Sequence, residues 1–279
     1  LFSSSTQEER DNVFGKSKRE GRKLLAQWAA RSGGFFTGMV IPNVFGPFGN
    51  PYYNSVVATF SHQLTHNEQP RIEVDAPLKL IYVGDLVKII YFLIENQIAD
   101  EEFRIKHTDE ALVTDILTLL QSFKALYFEK GIMPGLNDPF ERNLFNTFVC
   151  YIDHERYFPL KLKLNTDERG SFVETVRLNS GGQVSFSTTK PGITRGNHFH
   201  TRKAERFAVI KGNAKIQLRR IGTGKVMSFE LDGRGPSYVD MPVWHTHNIT
   251  NIGEDDLYTI FWINEPYDPA DPDTFFEQV

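Results

Sequence analysis

Hydrophobic and polar positions in the first half of the chain follow a helical period in some segments and a strand-like pattern in others. Apolar residues recur at helical spacing in residues 12–31, 54–66 and 85–96, and again onward from Thr108. Short apolar runs between these helices predict buried strands at residues 35–41, 71–74 and 78–83. This alternation of strand and helix predicts an α/β sheet.

The pattern changes after about Asp153, where short strand-like runs follow one another with Gly- and Pro-containing turns between them. The predicted strands are residues 172–177, 183–189, 206–210, 214–220, 225–231, 238–240, 246–250 and 257–263. Many short strands without a long helix predict an all-β sandwich or small barrel. We therefore predict two domains, an α/β domain at residues 1–155 and an all-β domain at residues 156–279.

Composition narrows the class of protein. A hydrophobic content of 40% and a charged content of 24% are typical of soluble globular proteins. The net charge of -4 argues against nucleic acid as the main partner, because no cationic surplus can neutralise phosphates. The single cysteine, Cys150, excludes an intrachain disulfide and fits a reducing compartment. The longest apolar run is too short to span a bilayer, so we predict a cytoplasmic protein without a membrane span.

Three histidines and one glutamate have a spacing typical of a metal site. His198 and His200 are two apart, so on an extended strand both side chains leave from the same face. A short turn then brings in Glu205, and a later antiparallel strand brings in His247. Divalent zinc accepts this mixture of nitrogen and oxygen ligands. The alternative is that these are structural histidines packed inside a barrel.

The same stretch resembles a known fold family. The spacing of glycines, histidines and glutamate in residues 192–212 is similar to the first cupin motif, and residues 242–251 are similar to the second, with Trp244 where glycine is usual. Residues 167–172 and 195–198 resemble the RmlC type of cupin, which epimerises nucleotide-linked 4-keto sugars. That resemblance implies His198 as a catalytic base and no metal. His200 and Glu205 instead complete a ligand set, a departure toward a metal-binding version.

The first half resembles an extended short-chain dehydrogenase. Lys18 stands where that family has the lysine of its Tyr-x-x-x-Lys motif, and Ser5 is where its hydroxyl residue lies. The loop that contains Asn43 is similar to the family's nucleotide-sugar loop. The resemblance implies Lys18 and Ser5 as catalytic residues, and Lys18 and Asn43 as cofactor contacts. Phe14 occupies the tyrosine position and has no acidic hydrogen, so we expect no reductase activity.

No glycine-rich dinucleotide fingerprint is present in the sequence. The chain begins at Leu1 in what is predicted to be the end of a strand, so we expect that the first Rossmann strands precede it. The first half is then the C-terminal part of a Rossmann-type dehydrogenase. NADPH would be a cofactor only of the complete parent enzyme.

A dehydrogenase remnant followed by a metal cupin jelly roll resembles the capsular polysaccharide enzymes of the CapF family. The resemblance implies that the cupin domain epimerises C3 of a UDP-linked 4-keto-6-deoxy-N-acetylhexosamine and that the dehydrogenase domain reduces C4 with NADPH. It also implies a homodimer formed through the cupin domain. A metal at the four ligands would stabilise an enolate, with His245 as the candidate base. Arg169, Lys190 and Arg195 are candidates for binding the diphosphate.

Three alternatives stay open from the sequence. The metal is structural and His198 is itself the base, as in RmlC. The protein is a cupin metal oxygenase, because three histidines and one glutamate also suit iron or nickel. The chain is a non-catalytic sugar-binding or dimerisation module.

Overall fold

The structure is a computed structural model that describes residues 1–167, 170–173, 175–179 and 181–279. The chain forms two compact units. The first consists of Leu1–Leu64 and Glu68–Leu120, and the second of Thr65–Asn67 and Gln121–Val279. Residues 121–155 therefore belong to the same compact unit as the strands that follow them. The predicted domain boundary between residues 155 and 156 stays a prediction. Among the described residues, no helix combines the length and the apolar character that crossing a membrane requires.

The first part of the chain alternates strands and helices as predicted. In chain order the elements are β1 (Phe2–Ser5), α1 (Val13–Ser32), β2 (Thr37–Ile41), β3 (Asn43–Phe45), α2 (Val56–Thr65), β4 (Pro77–Tyr82), α3 (Val83–Glu95), β5 (Asp100–Arg104), β6 (Asp109–Leu112) and α4 (Val113–Phe123). Strands β1, β2 and β5 form a parallel sheet. Strands β3, β4 and β6 form a second sheet, in which β6 is antiparallel to β4.

Helix α1 has clear signals at both ends. The side chain of Asn12 accepts a hydrogen bond from the Gly15 amide, and Gly33 ends the helix in the left-handed conformation at φ 68°. Inside the unit, the buried guanidinium of Arg22 contacts Glu8 at 2.8 Å and Glu102 at 2.9 Å. These ion pairs hold α1 to the preceding 3-10 helix (Thr6–Glu9) and to β5.

Three predictions for this unit are wrong. Asn43, predicted to lie in a loop, begins strand β3, which pairs with β4. Residues 71–74 form no strand, and Val74 is largely exposed, because an apolar alternation needs a neighbouring strand to pair with. The helix predicted from Thr108 begins at Val113 instead, because residues 109–112 pair with β4 as strand β6. Strand β5 was missed because its sequence is charged and mostly exposed.

The second unit begins with helices and continues as strands. A π-helix (Lys124–Phe128) is followed by β7 (Ile132–Met133), α5 (Pro139–Val149), α6 (His154–Tyr157), β8 (Leu160–Lys161), β9 (Leu164–Asp167), β10 (Gly170–Val173), β11 (Arg177–Leu178), β12 (Gln183–Thr189), β13 (Thr194–Phe199), β14 (Glu205–Lys211), β15 (Asn213–Arg220), β16 (Val226–Asp232), β17 (Ser237–Met241), β18 (His245–Asn251), β19 (Leu257–Ile263) and β20 (Phe275–Phe276). The predicted fold class, α/β followed by all-β, is confirmed.

Two five-stranded sheets build the sandwich. One has the strand order β12-β19-β14-β17-β8 and the other β16-β15-β18-β13-β20. Fully buried side chains such as Val209, Leu218 and Val239 form the core between them. The candidate ligands lie on β13, β14 and β18 and in the turn between the first two, so both sheets contribute to the site.

Candidate metal centre

Strands β13 and β18 place two histidines side by side. His198 and His247 are opposite each other in the antiparallel register, so their side chains leave from the same face of the sheet. A β-bulge between Gly196 and His198 sets this register. Gly196 has φ 99°, and a Cβ there would lie 2.7 Å from the carbonyl oxygen of His247. Only glycine allows the two strands to approach this closely.

The structure brings the four predicted ligands together. One potential ligand atom from each of His198, His200, Glu205 and His247 lies within 4.8 Å of the others. Glu205 Oε2 is 2.8 Å from His247 Nε2 and 3.4 Å from His200 Nε2. His200, Glu205 and His247 are buried, whereas His198 is half-buried. The cluster is therefore most accessible on the His198 side.

Backbone carbonyls fix the orientation of two of these imidazoles. His247 Nδ1 lies 3.1 Å from the His245 carbonyl oxygen, and His200 Nδ1 contacts the Asp273 carbonyl oxygen. Because a carbonyl can only accept, both Nδ1 atoms must carry the proton. Each Nε2 then presents its lone pair to the centre of the cluster when the ring is neutral.

The buried atoms of the cluster fit a cation. His200 Nε2, His247 Nε2 and Glu205 Oε2 make no aligned hydrogen bond although all three are buried. With neutral rings they are three acceptors facing one another, an arrangement that needs positive charge between them. Three imidazole nitrogens and one carboxylate oxygen are a ligand set that zinc and related divalent ions accept. The cluster can therefore bind a metal.

The electrostatics of the cluster agree with this assignment. Burial would raise the pKa of Glu205, but in the metal-free cluster hydrogen bonds and positive charge from the imidazoles of His200 and His247 hold that pKa below its ordinary value. Burial would lower the pKa of His200, but Glu205 raises it, so a proton on an imidazole does for the carboxylate what a bound cation would do. Burial and the neighbouring His247 lower the pKa of His198 to about 4. Glu205 is therefore ionised and His198 neutral near pH 7, the forms in which both bind metal ions.

Trp244 occupies an unusual position beside the cluster. It stands where the second cupin motif usually has glycine, and its backbone adopts φ 60°, the conformation that glycine favours. Its amide donates a 2.8 Å hydrogen bond to the His200 carbonyl, and its ring stacks on Phe199 with centroids 5.7 Å apart. These contacts hold the turn despite the strained backbone.

The candidate base His245 lies outside the group of four ligands. It is 6% exposed, and its ring stacks on His154 with centroids 6.0 Å apart. Its Nδ1 lies 3.1 Å from the carbonyl oxygen of Val243. Burial and His154 lower the pKa of His245 to about 3, so the ring is neutral at physiological pH.

The three residues that are candidates for binding the diphosphate differ in their position relative to the cluster. Arg195 is exposed and is opposite Ile249, on the same sheet face as His198 and His247. Lys190 is exposed in the turn between β12 and β13. Arg169 lies outside the described residues.

In the first unit, the side chains of the candidate catalytic and cofactor-binding residues form hydrogen bonds with backbone groups. Lys18 Nζ donates a 2.9 Å hydrogen bond to the Ser3 carbonyl and lies 5.7 Å from the centroid of the Phe14 ring. The Ser5 hydroxyl accepts a hydrogen bond from the Gln7 amide. The Asn43 side chain donates to the carbonyl of Lys79 on β4. The structure brings Lys18 and Phe14 together, and the catalytic and cofactor roles of Lys18, Ser5 and Asn43 stay predictions.

Two protein families match different parts of the chain. Residues 3–105 match the NAD dependent epimerase/dehydratase family, and residues 165–275 match the polysaccharide biosynthesis C-terminal domain. The second match spans the cluster of four ligands.

Two relatives that match nearly the whole of this chain show its family. The structure of the capsular polysaccharide assembling protein CapF from Staphylococcus aureus is 37% identical, covers 100% of this chain and 76% of its own, and superposes with a TM-score of 0.58. A UDP-2-acetamido-2,6-beta-L-arabino-hexul-4-ose reductase from Pseudomonas aeruginosa is 32% identical over 99% of this chain and 74% of its own length. The chain belongs to the CapF family. Its members join an epimerase/dehydratase part to a cupin-like domain, as the sequence predicted.

A further relative of this CapF-family chain matches only part of it. The spore coat polysaccharide biosynthesis protein SpsL from Bacillus subtilis is 27% identical over 40% of this chain and 82% of its own length.

Proposed function

We propose that the second unit is a metal-dependent epimerase for C3 of a UDP-linked 4-keto-6-deoxy-N-acetylhexosamine. The observation that carries the proposal is the cluster of four ligands, open toward His198 and with three buried atoms that need a cation. The CapF relationship supports the substrate class, as does the reductase from P. aeruginosa, whose name describes a UDP-linked hexulose. The C3 proton of such a sugar is acidic only when charge on the ketone oxygen is stabilised.

A divalent ion held by His198, His200, Glu205 and His247, with zinc the expected metal, would supply that stabilisation by polarising the ketone oxygen. Glu205 offsets part of the ion's charge, and the carbonyls of Asp273 and His245 keep two imidazoles aimed at the centre. Arg195, on the same sheet face, would bind the diphosphate together with Lys190. Arg169 is proposed for the same role from its sequence position.

Epimerisation at C3 requires a neutral base that removes the proton and an acid that returns a proton to the opposite face. In the metal-dependent mechanism His198 is a ligand, so the base is His245, which is neutral because burial lowers its pKa to about 3. If the metal is structural, His198 is the base, because it is half-buried and its pKa is about 4. Exchange that survives His245→Gln but not His198→Gln would support the second mechanism.

We further propose that the first unit of this chain does not reduce C4. Phe14 carries no hydroxyl to deliver a proton, and the Lys18 ammonium that would activate such a hydroxyl donates to the Ser3 carbonyl instead. NADPH would serve only an enzyme with a complete dehydrogenase site. NADPH consumption by this chain with the keto sugar would contradict this part of the proposal.

The proposal includes a homodimer formed through the second unit. Strand β12 is at the edge of its sheet, and Val184 and Phe186 on it are 52% and 68% exposed. An apolar edge strand of this kind favours pairing with a second copy. Analytical ultracentrifugation of the chain and of Phe186→Lys would test it, with a shift to monomer expected in the variant.

Solvent deuterium uptake tests the proposed activity. The chain with zinc is incubated with the UDP-linked keto sugar in deuterium oxide, and uptake at C3 is followed by NMR. Oxygen consumption is recorded with the iron-loaded and nickel-loaded chain, because the same ligands suit these metals and zinc has no redox chemistry with which to activate oxygen. Uptake at C3 without oxygen consumption supports the epimerase. Sugar binding without uptake would indicate a non-catalytic module.

A further inference from the structure

The C-terminal strap, residues 273–279, contains one buried carboxylate. Asp273 is 4% exposed, whereas the residues that follow it up to Gln278 are exposed. Its backbone has φ 42°, a conformation that non-glycine residues seldom adopt. Burying a charge is unfavourable unless it is fully hydrogen-bonded. The contacts of Asp273 explain both its burial and its conformation.

The Asp273 carboxylate organises the turn between two ligands. It accepts hydrogen bonds from the backbone amides of Thr201 at 3.1 Å, Arg202 at 2.9 Å and Lys203 at 3.1 Å, and from the Thr201 hydroxyl at 2.6 Å. This turn joins His200 to Glu205. Its conformation therefore sets the separation of these two ligands.

The backbone of the same residue orients His200. The Asp273 carbonyl accepts the hydrogen bond from His200 Nδ1, which leaves the Nε2 lone pair directed at the centre of the cluster. One residue of the strap thus fixes the tautomer of a ligand and the shape of the turn that follows it.

The rest of the strap runs beside the other two histidines. In β20, Phe276 is opposite His198 in the β-sheet register. The Glu277 amide donates to the Asn197 carbonyl at the bulge, and the Glu277 carbonyl accepts from the Thr246 hydroxyl, next to His247. Arg219 pairs with the Glu277 side chain at 2.8 Å. The strap therefore contacts His200 directly and pairs with His198 in the sheet. It also contacts Thr246, the neighbour of His247.

We propose that the C-terminal strap is a positioning element of the metal centre and that Asp273 is the residue through which it sets His200 and Glu205. The inference rests on the metal site of the proposed function. A strap that only completed the sheet would support stability. A strap that positions ligands also sets metal affinity and geometry.

The test compares Asp273→Ala with Asp271→Ala in the full chain. Asp271 is an exposed strap neighbour whose carboxylate pairs with Arg202 at 2.8 Å and makes no contact with the ligand turn amides, so it is a matched control. Zinc affinity is measured by competition with a chromophoric chelator. We expect Asp273→Ala to weaken zinc binding about 10- to 100-fold and Asp271→Ala to change it less than about threefold.

Two further readouts separate positioning from stability. The visible spectrum of the cobalt-substituted chain should change in Asp273→Ala, because ligand geometry changes, and stay as in wild type in Asp271→Ala. Asp273→Asn keeps the size and one acceptor oxygen, so it should fold and show an intermediate loss of affinity. It replaces Asp273→Ala if that variant does not fold.

The outcomes distinguish the two proposals. If the wild-type chain binds neither zinc nor cobalt, the metal site of the proposed function fails, and this inference fails with it. If wild type binds the metal and the Asp273 variants match it in affinity and cobalt spectrum, only the positioning role is overturned.

Discussion

Lys18 in the first unit and His247 in the second are both candidate catalytic-site residues, but their surroundings differ. Lys18 Nζ is exposed and donates to the Ser3 carbonyl, beside a phenylalanine that has no proton to give. His247 Nε2 is buried, faces Glu205 at 2.8 Å and forms no aligned hydrogen bond. The polar group in the second unit is buried against a carboxylate and other histidines, an arrangement that a bound cation would stabilise. That difference supports our proposal that the active site lies in the second unit.

The largest expected difference between the units is in the free energy of unfolding that is lost when a buried ion pair is broken. In the second unit, Arg206 pairs with Asp240 at 2.7 Å, and Tyr127 donates to the same carboxylate at 2.6 Å. Asp240→Ala leaves Arg206 buried without an acidic partner, with the Gly131 carbonyl as its remaining acceptor, so we expect the free energy of unfolding of this unit to fall by about 3–5 kcal/mol. Urea unfolding, followed by Trp244 and Trp262 fluorescence in a Trp28→Phe background, measures it.

Glu8→Ala is the matched change in the first unit. Arg22 keeps Glu102 and the Glu101 carbonyl as partners after this change, so we expect a smaller loss than in Asp240→Ala and no effect on metal affinity. Equal losses in the two variants would contradict the account of these two clusters.

Removal of one ligand should abolish the proposed activity selectively. His247→Ala deletes a nitrogen from the cluster, and we expect deuterium uptake at C3 to slow about 100- to 1,000-fold, since stabilisation of the ketone oxygen is lost. Lys18→Ala should leave this rate unchanged because Lys18 lies in the other unit. A similar loss in both variants would mean that the two sites are not independent in function.

The pH dependence of stability should be concentrated in the second unit. Burial and His154 lower the pKa of His245 to about 3, whereas an unfolded imidazole has a pKa of about 6.5. The unfolded chain therefore binds more protons between these values, and stability falls as pH falls through this window. We expect His245 to account for a loss of about 2 kcal/mol between pH 7 and pH 5 in the metal-free chain.

The control for this prediction is His245→Gln, which removes the titrating group. The second unit of the variant should lose about 2 kcal/mol less than wild type over the same pH interval. An identical pH dependence in both proteins would show that His245 does not titrate in this way.

The sequence predicted the parts of the fold and site that depend on short-range patterns. Strand β12 was predicted with its observed bounds. His198, His200, Glu205 and His247 could be proposed as one cluster because their spacing fits two antiparallel strands and a turn. The α/β pattern of the first unit was predictable because helix α1 carries its own start and stop signals at Asn12 and Gly33.

Contacts between distant residues could not be predicted in this way. Asp273 lies 73 residues after His200, and no local pattern connects an aspartate in a polar tail to a histidine on a strand. Strand β6 was mistaken for a helical turn because only its pairing with β4 makes it extended. The stacking of His245 on His154 likewise depends on tertiary structure, so it could not be predicted from the sequence.

The most direct test of the central claim is the metal dependence of proton exchange at C3. The chain is freed of metal with a chelator, deuterium uptake at C3 of the UDP-linked keto sugar is followed by NMR, and zinc is then restored. Circular dichroism before and after verifies that the metal-free chain stays folded. The account predicts that exchange stops in the folded metal-free chain and returns with zinc. Full exchange without metal would contradict it and would make His198 the base in a metal-independent site.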